Sequence, residues 1–306
     1  MEKVIVITGP TASGKTAVSI ALSKRLSGEI INCDSMQIYK KCDIGSAKPT
    51  FEEQSGVTHH LIDIIDPKEN FSTAEYKDKA IVCIKDILSR DKLPVITGGT
   101  GLYIDSLIKN IDFTIDTGNP ELREKLNVAA EADGAECIYE KLKARDPKAA
   151  LSVHPNNTRR VIRYLEILDG FEGTLEEYMK NTRKVIPEFD YKVFVLWPDR
   201  EFVYGRIESR VEEMLESGLL EEVQSLMDNG IDDTAQCMMG IGYKETYSYL
   251  NGKMTYDEFV DLLKRNTRRY AKRQYTWFKR LEKANFIHTD AQSGVNDIIE
   301  IIVKAI

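Results

Sequence analysis

Blocks of apolar and polar positions alternate along the first hundred residues and predict strands and helices in turn. Short apolar runs predict buried strands at 4–8, 29–33 and 93–97. Between these runs, the spacing of apolar positions predicts helices over 16–26 and 72–90. Strands and helices that alternate in this way form a parallel sheet flanked by helices, with ligands at the carboxyl ends of the strands. The predicted fold class is therefore α/β.

The middle of the chain, from about 114 to 190, is helical in pattern and poor in strands. We predict an all-helical insertion at 114–190 within a core formed by residues 1–113 and 191–306. The predicted helices of the insertion cover 120–131, 135–144, 158–168 and 175–181. After the insertion the pattern predicts, in order, a strand at 191–197, a long helix from Asp199 to about Asn229, a helix over 255–283, a strand at 286–289 and a helix at 294–305.

A phosphate-binding motif follows the first predicted strand. Residues 9–16 read Gly-Pro-Thr-Ala-Ser-Gly-Lys-Thr, a complete G-x-x-x-x-G-K-[ST] sequence between a strand and a helix. Its glycines let successive backbone N–H groups converge on phosphate oxygens at the positive end of the helix. Lys15 adds a point charge, and the Thr16 hydroxyl is the expected ligand of a Mg²⁺ ion. The predicted diphosphate site comprises Gly9, Pro10, Thr11, Ala12, Ser13, Gly14, Lys15 and Thr16.

The predicted strands carry an acid, Asp34, at the tip of the second one, but none where a nucleotide hydrolase needs it. Hydrolases with a phosphate loop place a second acid at the end of an apolar strand, where it holds Mg²⁺ and orients water. The strand at 93–97 runs instead into Gly-Gly-Thr-Gly, without an acid. A carboxylate at Asp34 can reach an acceptor in line with the bound phosphate, which suits a general base. A simple role as a turn or cap residue stays open for Asp34.

The distribution of charge narrows the choice of partners. The net charge of −7 argues against general binding of nucleic acid, yet nine basic residues and one acid fall between Lys264 and Lys283. Such a local stripe indicates a specific anionic partner. Five scattered cysteines without a C-x-x-C pair, and the adjacent His59 and His60, indicate neither a disulfide framework nor a metal site. Without a transmembrane run or a signal peptide, we expect a cytoplasmic protein that does not bind membranes.

A series of short blocks resembles the tRNA dimethylallyltransferase (isopentenyltransferase) family. Besides the phosphate loop, the blocks are Asp-Ser-Met-Gln-Ile-Tyr at 34–39, Asp-Ile-Gly-Ser-Ala-Lys-Pro at 43–49, His-His-Leu-Ile-Asp at 59–63, Gly-Gly-Thr-Gly-Leu-Tyr at 98–103, Gly-Ile-Gly-Tyr-Lys-Glu at 240–245, Asn-Thr-Arg at 266–268 and the segment 270–278. They stand in the family's order and run nearly end to end. Small departures occur at Lys40 and Lys41, where a glycine is expected nearby, and at Ser46, where the family has threonine. The bacterial short form of the family is the closer match.

The resemblance implies an activity and a set of roles. The enzyme would transfer a dimethylallyl group from dimethylallyl diphosphate to the N6 amine of adenosine 37, beside the anticodon of tRNA. It implies a P-loop NTPase-like fold in which Lys15, Thr16 and Arg206 act on the diphosphate, with Mg²⁺ as cofactor, and Asp34 accepts the proton of the amine. Contacts with the anticodon stem-loop are assigned to Asp34, Ser35, Met36, Gln37, Thr100, Arg123, Arg159, Arg160, Val161, Ile162, Arg163, Gly240, Ile241, Gly242, Tyr243 and Lys244.

Three alternatives to this function stay open at the level of sequence. A small-molecule kinase would bind ATP at the phosphate loop and use Asp34 to activate a hydroxyl group. A relative that prenylates free adenine nucleotide would need no extended basic surface, whereas this chain has Arg159, Arg160 and Arg163 close together in the predicted insertion. A nucleotide switch or RNA-binding module would need no base at Asp34. We expect a monomer.

Overall fold

The computed structural model describes residues 1–113, 118–183 and 185–306, which fall into two compact units. The first unit combines Met1–Ile108 with Glu188–Ile306, and the second is Lys109–Pro187. The predicted start of the insertion, residue 114, lies outside the described residues. The division in the structure falls at 109 and 187 instead of 114 and 190.

The strands described in the first unit form one parallel sheet, which confirms the predicted α/β class. They are β1 (Lys3–Thr8), β2 (Gly28–Asn32), β3 (His59–His60), β4 (Leu93–Thr97), β5 (Asp190–Pro198) and β6 (Asn285–Thr289), in the spatial order β3-β2-β4-β1-β5-β6. Every adjacent pair is parallel. Along β1, Val4 and Val6 pack in one hydrophobic cluster, while Ile5 and Ile7 pack in another. Both faces of the sheet are covered, which is why the strands read as continuous apolar runs.

The helices that precede the insertion connect the strands of this sheet. They are α1 (Lys15–Arg25), α2 (Phe51–Gln54), α3 (Thr73–Ser89) and α4 (Gly101–Ile108). Helix α3 begins at the predicted capping box, in which the Ser72 hydroxyl accepts from the Glu75 N–H and the Glu75 carboxylate accepts from the Ser72 N–H. Helix α4 follows β4 directly and was not predicted. Strand β1 leads through the phosphate loop into α1, as in P-loop NTPase-like proteins.

The second unit is helical throughout its described secondary structure. Its helices are α5 (Pro120–Asp133), α6 (Ala135–Arg145), α7 (Pro147–Leu151), α8 (Thr158–Gly170) and α9 (Leu175–Asn181). Their apolar faces meet in a separate core that includes Leu126, Ile138, Leu142, Val161 and Ile167. Because this unit has its own core, it can present a surface of its own to a partner.

The chain returns to the first unit through β5 and continues in helices that correct two predictions. They are α10 (Arg200–Glu216), α11 (Leu219–Asp228), α12 (Tyr243–Leu250), α13 (Tyr256–Phe278) and α14 (Val295–Ala305). The single long helix predicted from Asp199 is wrong, because Gly218 adopts a left-handed φ of 98° and separates α10 from α11. The helix predicted over 255–283 ends at Phe278, so the last basic residues of the stripe lie beyond it.

Candidate functional site

The phosphate loop lies at the carboxyl end of the central strand β1. Two glycines shape it, with φ of 147° at Gly9 and 88° at Gly14, a region that L side chains rarely adopt. A Cβ atom on Gly9 would also lie 2.4 Å from the carbonyl oxygen of Leu196 in the neighbouring strand β5. The loop therefore packs on the sheet at a distance that only glycine permits, and the first residues of α1 follow at once. This is the strand–loop–helix context that the motif requires.

Lys15 is half-buried at this loop and is held by the loop backbone. The ammonium donates to the carbonyl oxygens of Gly9 at 3.0 Å and Pro10 at 2.7 Å. The pKa of Lys15 is lowered to about 7, chiefly by burial and also by repulsion from Arg210 and Arg206, while the attraction of Asp34 opposes these effects. A bound anion favours the protonated form of a neighbouring lysine, so a diphosphate at this loop would raise the pKa of Lys15.

Asp34 lies just beyond β2, where it takes part in a local turn and lines the cavity beside the phosphate loop. One carboxylate oxygen accepts from the Met36 N–H at 2.9 Å and closes a local turn. Burial raises the pKa of Asp34, opposed by the Met36 and Gln37 N–H groups and by the charge of Lys15. A raised pKa brings a carboxylate closer to the range in which it can take a proton at neutral pH.

Thr100 connects the end of β4 to the segment that contains Asp34. Its hydroxyl oxygen accepts from the Ser35 N–H at 3.0 Å and lies 3.3 Å from the Ser35 hydroxyl. Strands β2 and β4 are neighbours in the sheet, so their ends meet at one edge. Since β4 also pairs with β1, which leads into the phosphate loop, the predicted convergence of Asp34 and Thr100 with that loop follows from the strand order.

Helix α10 brings two arginines to the phosphate loop. A guanidinium nitrogen of Arg206 lies 3.7 Å from the position that a Cβ on Gly14 would occupy, and the group stacks on Phe202 at 5.6 Å. Arg210, one helical turn further, lines the adjacent cavity, and its burial together with repulsion from Arg206 lowers its pKa. Arg210 was not among the predicted site residues. The spacing of four between two arginines on one helix is a signal that could have found it.

One cavity of about 420 Å³ is lined by residues of the phosphate loop together with Asp34 and Arg210, whereas Arg206 and Thr100 are not among its lining residues. Polar and charged residues occupy part of its wall, among them Lys15, Thr16 and Asp34. The apolar part of the wall includes Ile207, Val211, Met214, Met239 and Leu263. Tyr270 and Arg273 of α13 and His59 of β3 also line the cavity, and none of them was predicted to belong to the site. A cavity with a cationic end and an apolar wall suits a ligand with an anionic head and a short hydrocarbon chain.

The loop at 240–244 lines the cavity, but the side chain of its tyrosine is buried. Gly240, Ile241, Gly242 and Lys244 are among the lining residues. Tyr243 is fully buried, and its hydroxyl donates to Glu222 at 2.7 Å. The Tyr243 side chain therefore packs inside the protein, and the predicted RNA contact of this residue is left to its backbone.

The carboxylate of Glu222 also organises the loop at 43–45. It accepts from the N–H groups of Asp43 at 2.8 Å, Ile44 at 2.7 Å and Gly45 at 3.1 Å. Further along, the Gln37 side chain donates to the carbonyl oxygens of Ser46 and Ala47, at 3.2 and 3.1 Å. Gly45, Ser46 and Ala47 line the cavity with Gln37. Glu222 thus holds one wall of the site without being part of the lining.

The predicted RNA contacts in the second unit divide into exposed and structural residues. Arg159 and Arg160 are exposed on α8. Arg160 donates to the Tyr164 hydroxyl at 2.7 Å and stacks on the same ring, which fixes its direction. Val161 and Ile162 are buried in the core of the unit, so their side chains are not available to RNA.

Arg123 and Arg163 of the second unit share a buried carboxylate. Arg123 donates two hydrogen bonds to Glu166, at 2.8 and 3.0 Å, and the Arg163 guanidinium lies 3.5 Å from the same group. The side chain of Glu166 is 1% exposed, so the two arginines compensate the burial of its polar group inside the unit. For Arg123, this structural role was not anticipated from the sequence.

The basic stripe at 264–283 is partly neutralised by α10. Lys264 pairs with Glu212 and Arg268 with Glu208, each at 2.8 Å. Arg265, Arg269 and Lys272 are exposed on α13. The stripe is therefore only partly available to an external anion.

The side chains at the cavity offer few oxygen ligands for a Mg²⁺ ion. Within residues 1–113, 118–183 and 185–306, no group of three His, Cys, Asp or Glu side chains could hold a metal. Mg²⁺ is commonly bound through one or two protein oxygens together with phosphate oxygens and water. The exposed Thr16 hydroxyl at the cavity fits that mode. His59 and His60 have other partners, the Val57 carbonyl and the Glu29 carboxylate.

None of the helices in the described part of the chain is long and apolar enough to span a membrane.

Comparisons with known proteins identify close relatives over nearly the whole chain. A family model described as IPP transferase matches residues 37–281. A tRNA dimethylallyltransferase of Acetivibrio thermocellus is 47% identical over 300 residues, which are 98% of this chain and 96% of the relative. The crystal structure of a full-length tRNA isopentenylpyrophosphate transferase from Bacillus halodurans matches with a TM-score of 0.74 and 42% identity, covering 99% of this chain and 96% of that one. A eukaryotic dimethylallyltransferase acting on tRNA matches with a TM-score of 0.79 and 32% identity, over 95% of this chain and 74% of that one.

Proposed function

This chain belongs to the IPP transferase family, as its motifs predicted, and we propose that it transfers a dimethylallyl group from dimethylallyl diphosphate to tRNA. The acceptor is the exocyclic N6 amine of adenosine 37, and the second product is diphosphate. The observation that carries the proposal is a cavity with a phosphate loop, the half-buried carboxylate of Asp34 and an apolar wall. The relatives are transferases, and nothing among them favours a small-molecule kinase at the same loop.

The phosphate loop holds the leaving group of this reaction. The bond between the allylic carbon and the diphosphate oxygen breaks, and its electron pair leaves with the diphosphate. The charge that develops is stabilised by the N–H groups of the loop, by Lys15 and by Arg206, as an oxyanion hole stabilises an acyl-transfer intermediate. Arg210 adds a cation to the same field. Because these groups are fixed before the reaction, they need little reorganisation during it.

Asp34 acts on the acceptor. The amine nitrogen forms the new bond to the allylic carbon and gives up a proton, which Asp34 takes. An aromatic amine is a weak nucleophile, so its orientation by Asp34 matters as much as the transfer of the proton. The contact of Asp34 with the Met36 N–H fixes the carboxylate for that purpose.

We propose Mg²⁺ as the metal ion, held by the Thr16 hydroxyl and by oxygens of the diphosphate. When bound, it would neutralise charge on the leaving diphosphate. This assignment rests on the fit of the donor set and on the phosphate-loop motif.

The RNA partner is the anticodon stem-loop of tRNA, bound by a monomer in the cytoplasm. Adenosine 37 leaves its stack to enter the cavity, at a cost that contacts with the loop backbone offset. In the first unit, Ser35, Met36, Gln37 and Thr100 lie beside Asp34, where they would contact the flipped nucleotide. The second unit contributes Arg159 and Arg160 to the phosphates.

A direct assay tests the proposal. Purified protein is incubated with dimethylallyl diphosphate, Mg²⁺ and unmodified tRNA, and the nucleosides of the digested RNA are analysed by mass spectrometry. We expect a prenylated adenosine from position 37. Unmodified RNA, together with phosphorylation of a small hydroxyl compound by ATP, would instead establish the kinase alternative.

A further inference from the structure

The side chain of Gln274 on α13 connects two loops of the site. Its carbonyl oxygen accepts from the Thr11 N–H at 2.7 Å, and its amide nitrogen donates to the Gly99 carbonyl oxygen at 3.0 Å. The residue is buried, with 5% of its surface exposed. The oxygen and the nitrogen of the amide each have a partner on a different loop, so the orientation of the group is fixed.

One of these two loops would bind the leaving diphosphate, and the other lies beside the proposed base, Asp34. Thr11 belongs to the phosphate loop, which binds the leaving group. Gly99 precedes Thr100, whose hydroxyl accepts from the Ser35 N–H at 3.0 Å, next to Asp34. Three hydrogen bonds, together with the peptide bond between Gly99 and Thr100, therefore connect the phosphate loop through Gln274 to the segment that contains Asp34.

The packing around Gln274 leaves little room for another arrangement. A Cβ atom on Gly99 would lie 2.4 Å from the amide nitrogen of Gln274. A Cβ on Gly101 would lie 2.4 Å from the ring of Trp277, one turn further along α13. The loop after β4 thus contacts the helix at a distance that glycine alone allows. Because the Gln274 amide contacts both Thr11 and Gly99 at hydrogen-bond distance, it sets the distance between the two loops.

We propose that Gln274 is a positioning residue that sets the distance between the diphosphate on the phosphate loop and the acceptor amine at Asp34. This inference rests on the proposed function. In-line transfer needs the reacting atoms about 3–3.5 Å apart, and a displacement of about 1 Å can lower the rate about 100-fold. The donor and the tRNA bind mainly through other groups, so their affinities do not depend on Gln274 to the same extent.

The test compares Gln274→Met, which is similar in size but makes neither hydrogen bond, with the matched control Gln224→Met. Gln224 is exposed on α11, and its side chain donates to Asp228 of the same helix at 2.8 Å. Single-turnover rates are measured at saturating donor and tRNA, along with the KM of each substrate and the melting temperature. For Gln274→Met we expect a rate about 10- to 100-fold below wild type and KM values within about threefold. The control variant should match wild type in all of these.

The possible results separate the inference from the proposed function. A Gln274→Met enzyme with the wild-type rate, or one whose rate falls only as far as its substrate affinities fall, would overturn the positioning role. If Gln274→Met does not fold, Gln274→Asn takes its place, because it keeps a neutral amide but is one methylene too short to reach both Thr11 and Gly99. The same selective loss of rate is expected from it. A wild-type protein that forms no prenylated adenosine would overturn the proposed function itself.

Discussion

Replacing Asp34 by Asn tests the proposed base with little change in shape. Asparagine keeps the side-chain oxygen that accepts from the Met36 N–H at 2.9 Å, so the local turn is preserved. It removes the group that takes the proton of the amine. General-base catalysis contributes about 10²- to 10⁴-fold, and we expect the single-turnover rate to fall by about that factor.

Binding of diphosphate should respond much less to the same change. Loss of the Asp34 charge removes a repulsion on the anion, but it also removes the attraction that raises the pKa of Lys15. Because these effects oppose each other, we expect the dissociation constant of inorganic diphosphate, measured by titration calorimetry, to change by less than about tenfold, or about 1.4 kcal/mol. Asp228→Asn, at an exposed position on α11, is the matched control for both measurements.

Two results would refute this reasoning about Asp34. A rate within a few-fold of wild type would mean that another group, or water, takes the proton. Loss of diphosphate binding together with activity would mean that Asp34 holds the metal ion or shapes the phosphate loop. The pH profile offers an independent check. Since burial raises the pKa of Asp34, kcat/KM should fall on the acid side at a pH above the usual aspartate range of about 3.9, and this limb should be absent in Asp34→Asn.

Further predictions concern charge, stability and RNA binding. With a pKa of about 7 in the free protein, Lys15 gains a proton when diphosphate binds, so the affinity measured by calorimetry should fall as pH rises above 7, and Lys15→Met should remove that part of the dependence. Glu222→Ala removes the acceptor of three loop N–H groups and a tyrosine hydroxyl, and should lower the free energy of unfolding in urea by about 2–3 kcal/mol. Arg160→Ala should weaken tRNA binding and reduce the slope of log K against log salt by about 1; an unchanged slope would return this residue to a solvent-facing role. Arg123→Ala leaves the buried Glu166 short of a partner and should destabilise the protein by about 3 kcal/mol in the same urea experiment; a loss of tRNA affinity without destabilisation would contradict the structural role.

The strands and helices whose bounds were predicted most accurately are those that local sequence patterns mark. The strand at 93–97 and the helix at 175–181 have the predicted bounds, because continuous apolar runs and capping boxes mark their ends within a few residues. The break at Gly218 was missed although a glycine after a helix is a common stop signal. Helix α4 was missed because its first residues were read as part of a glycine-rich loop.

The parts of the site that depend on packing could not be read from local patterns. Tyr270, Arg273 and Gln274 reach the site because α13 packs across the loops that follow β1 and β4. Arg123 finds Glu166 forty-three positions away, and no helical spacing links the two. Motifs identify groups that lie within one loop, whereas partners from distant segments follow from the tertiary fold.

The proximity of an acid to a phosphate site needs an explanation, because a carboxylate repels a bound diphosphate. In this cavity the charge of Lys15 lowers the pKa of Asp34, and the charge of Asp34 raises the pKa of Lys15. Each group therefore stabilises the ionised state that the other needs for its proposed role. When Asp34 takes the proton of the amine, its negative charge disappears in the same event in which diphosphate departs with an additional negative charge. The repulsion is relieved at the point where it would grow, so an anionic base beside a leaving diphosphate assists the transfer that it would otherwise oppose.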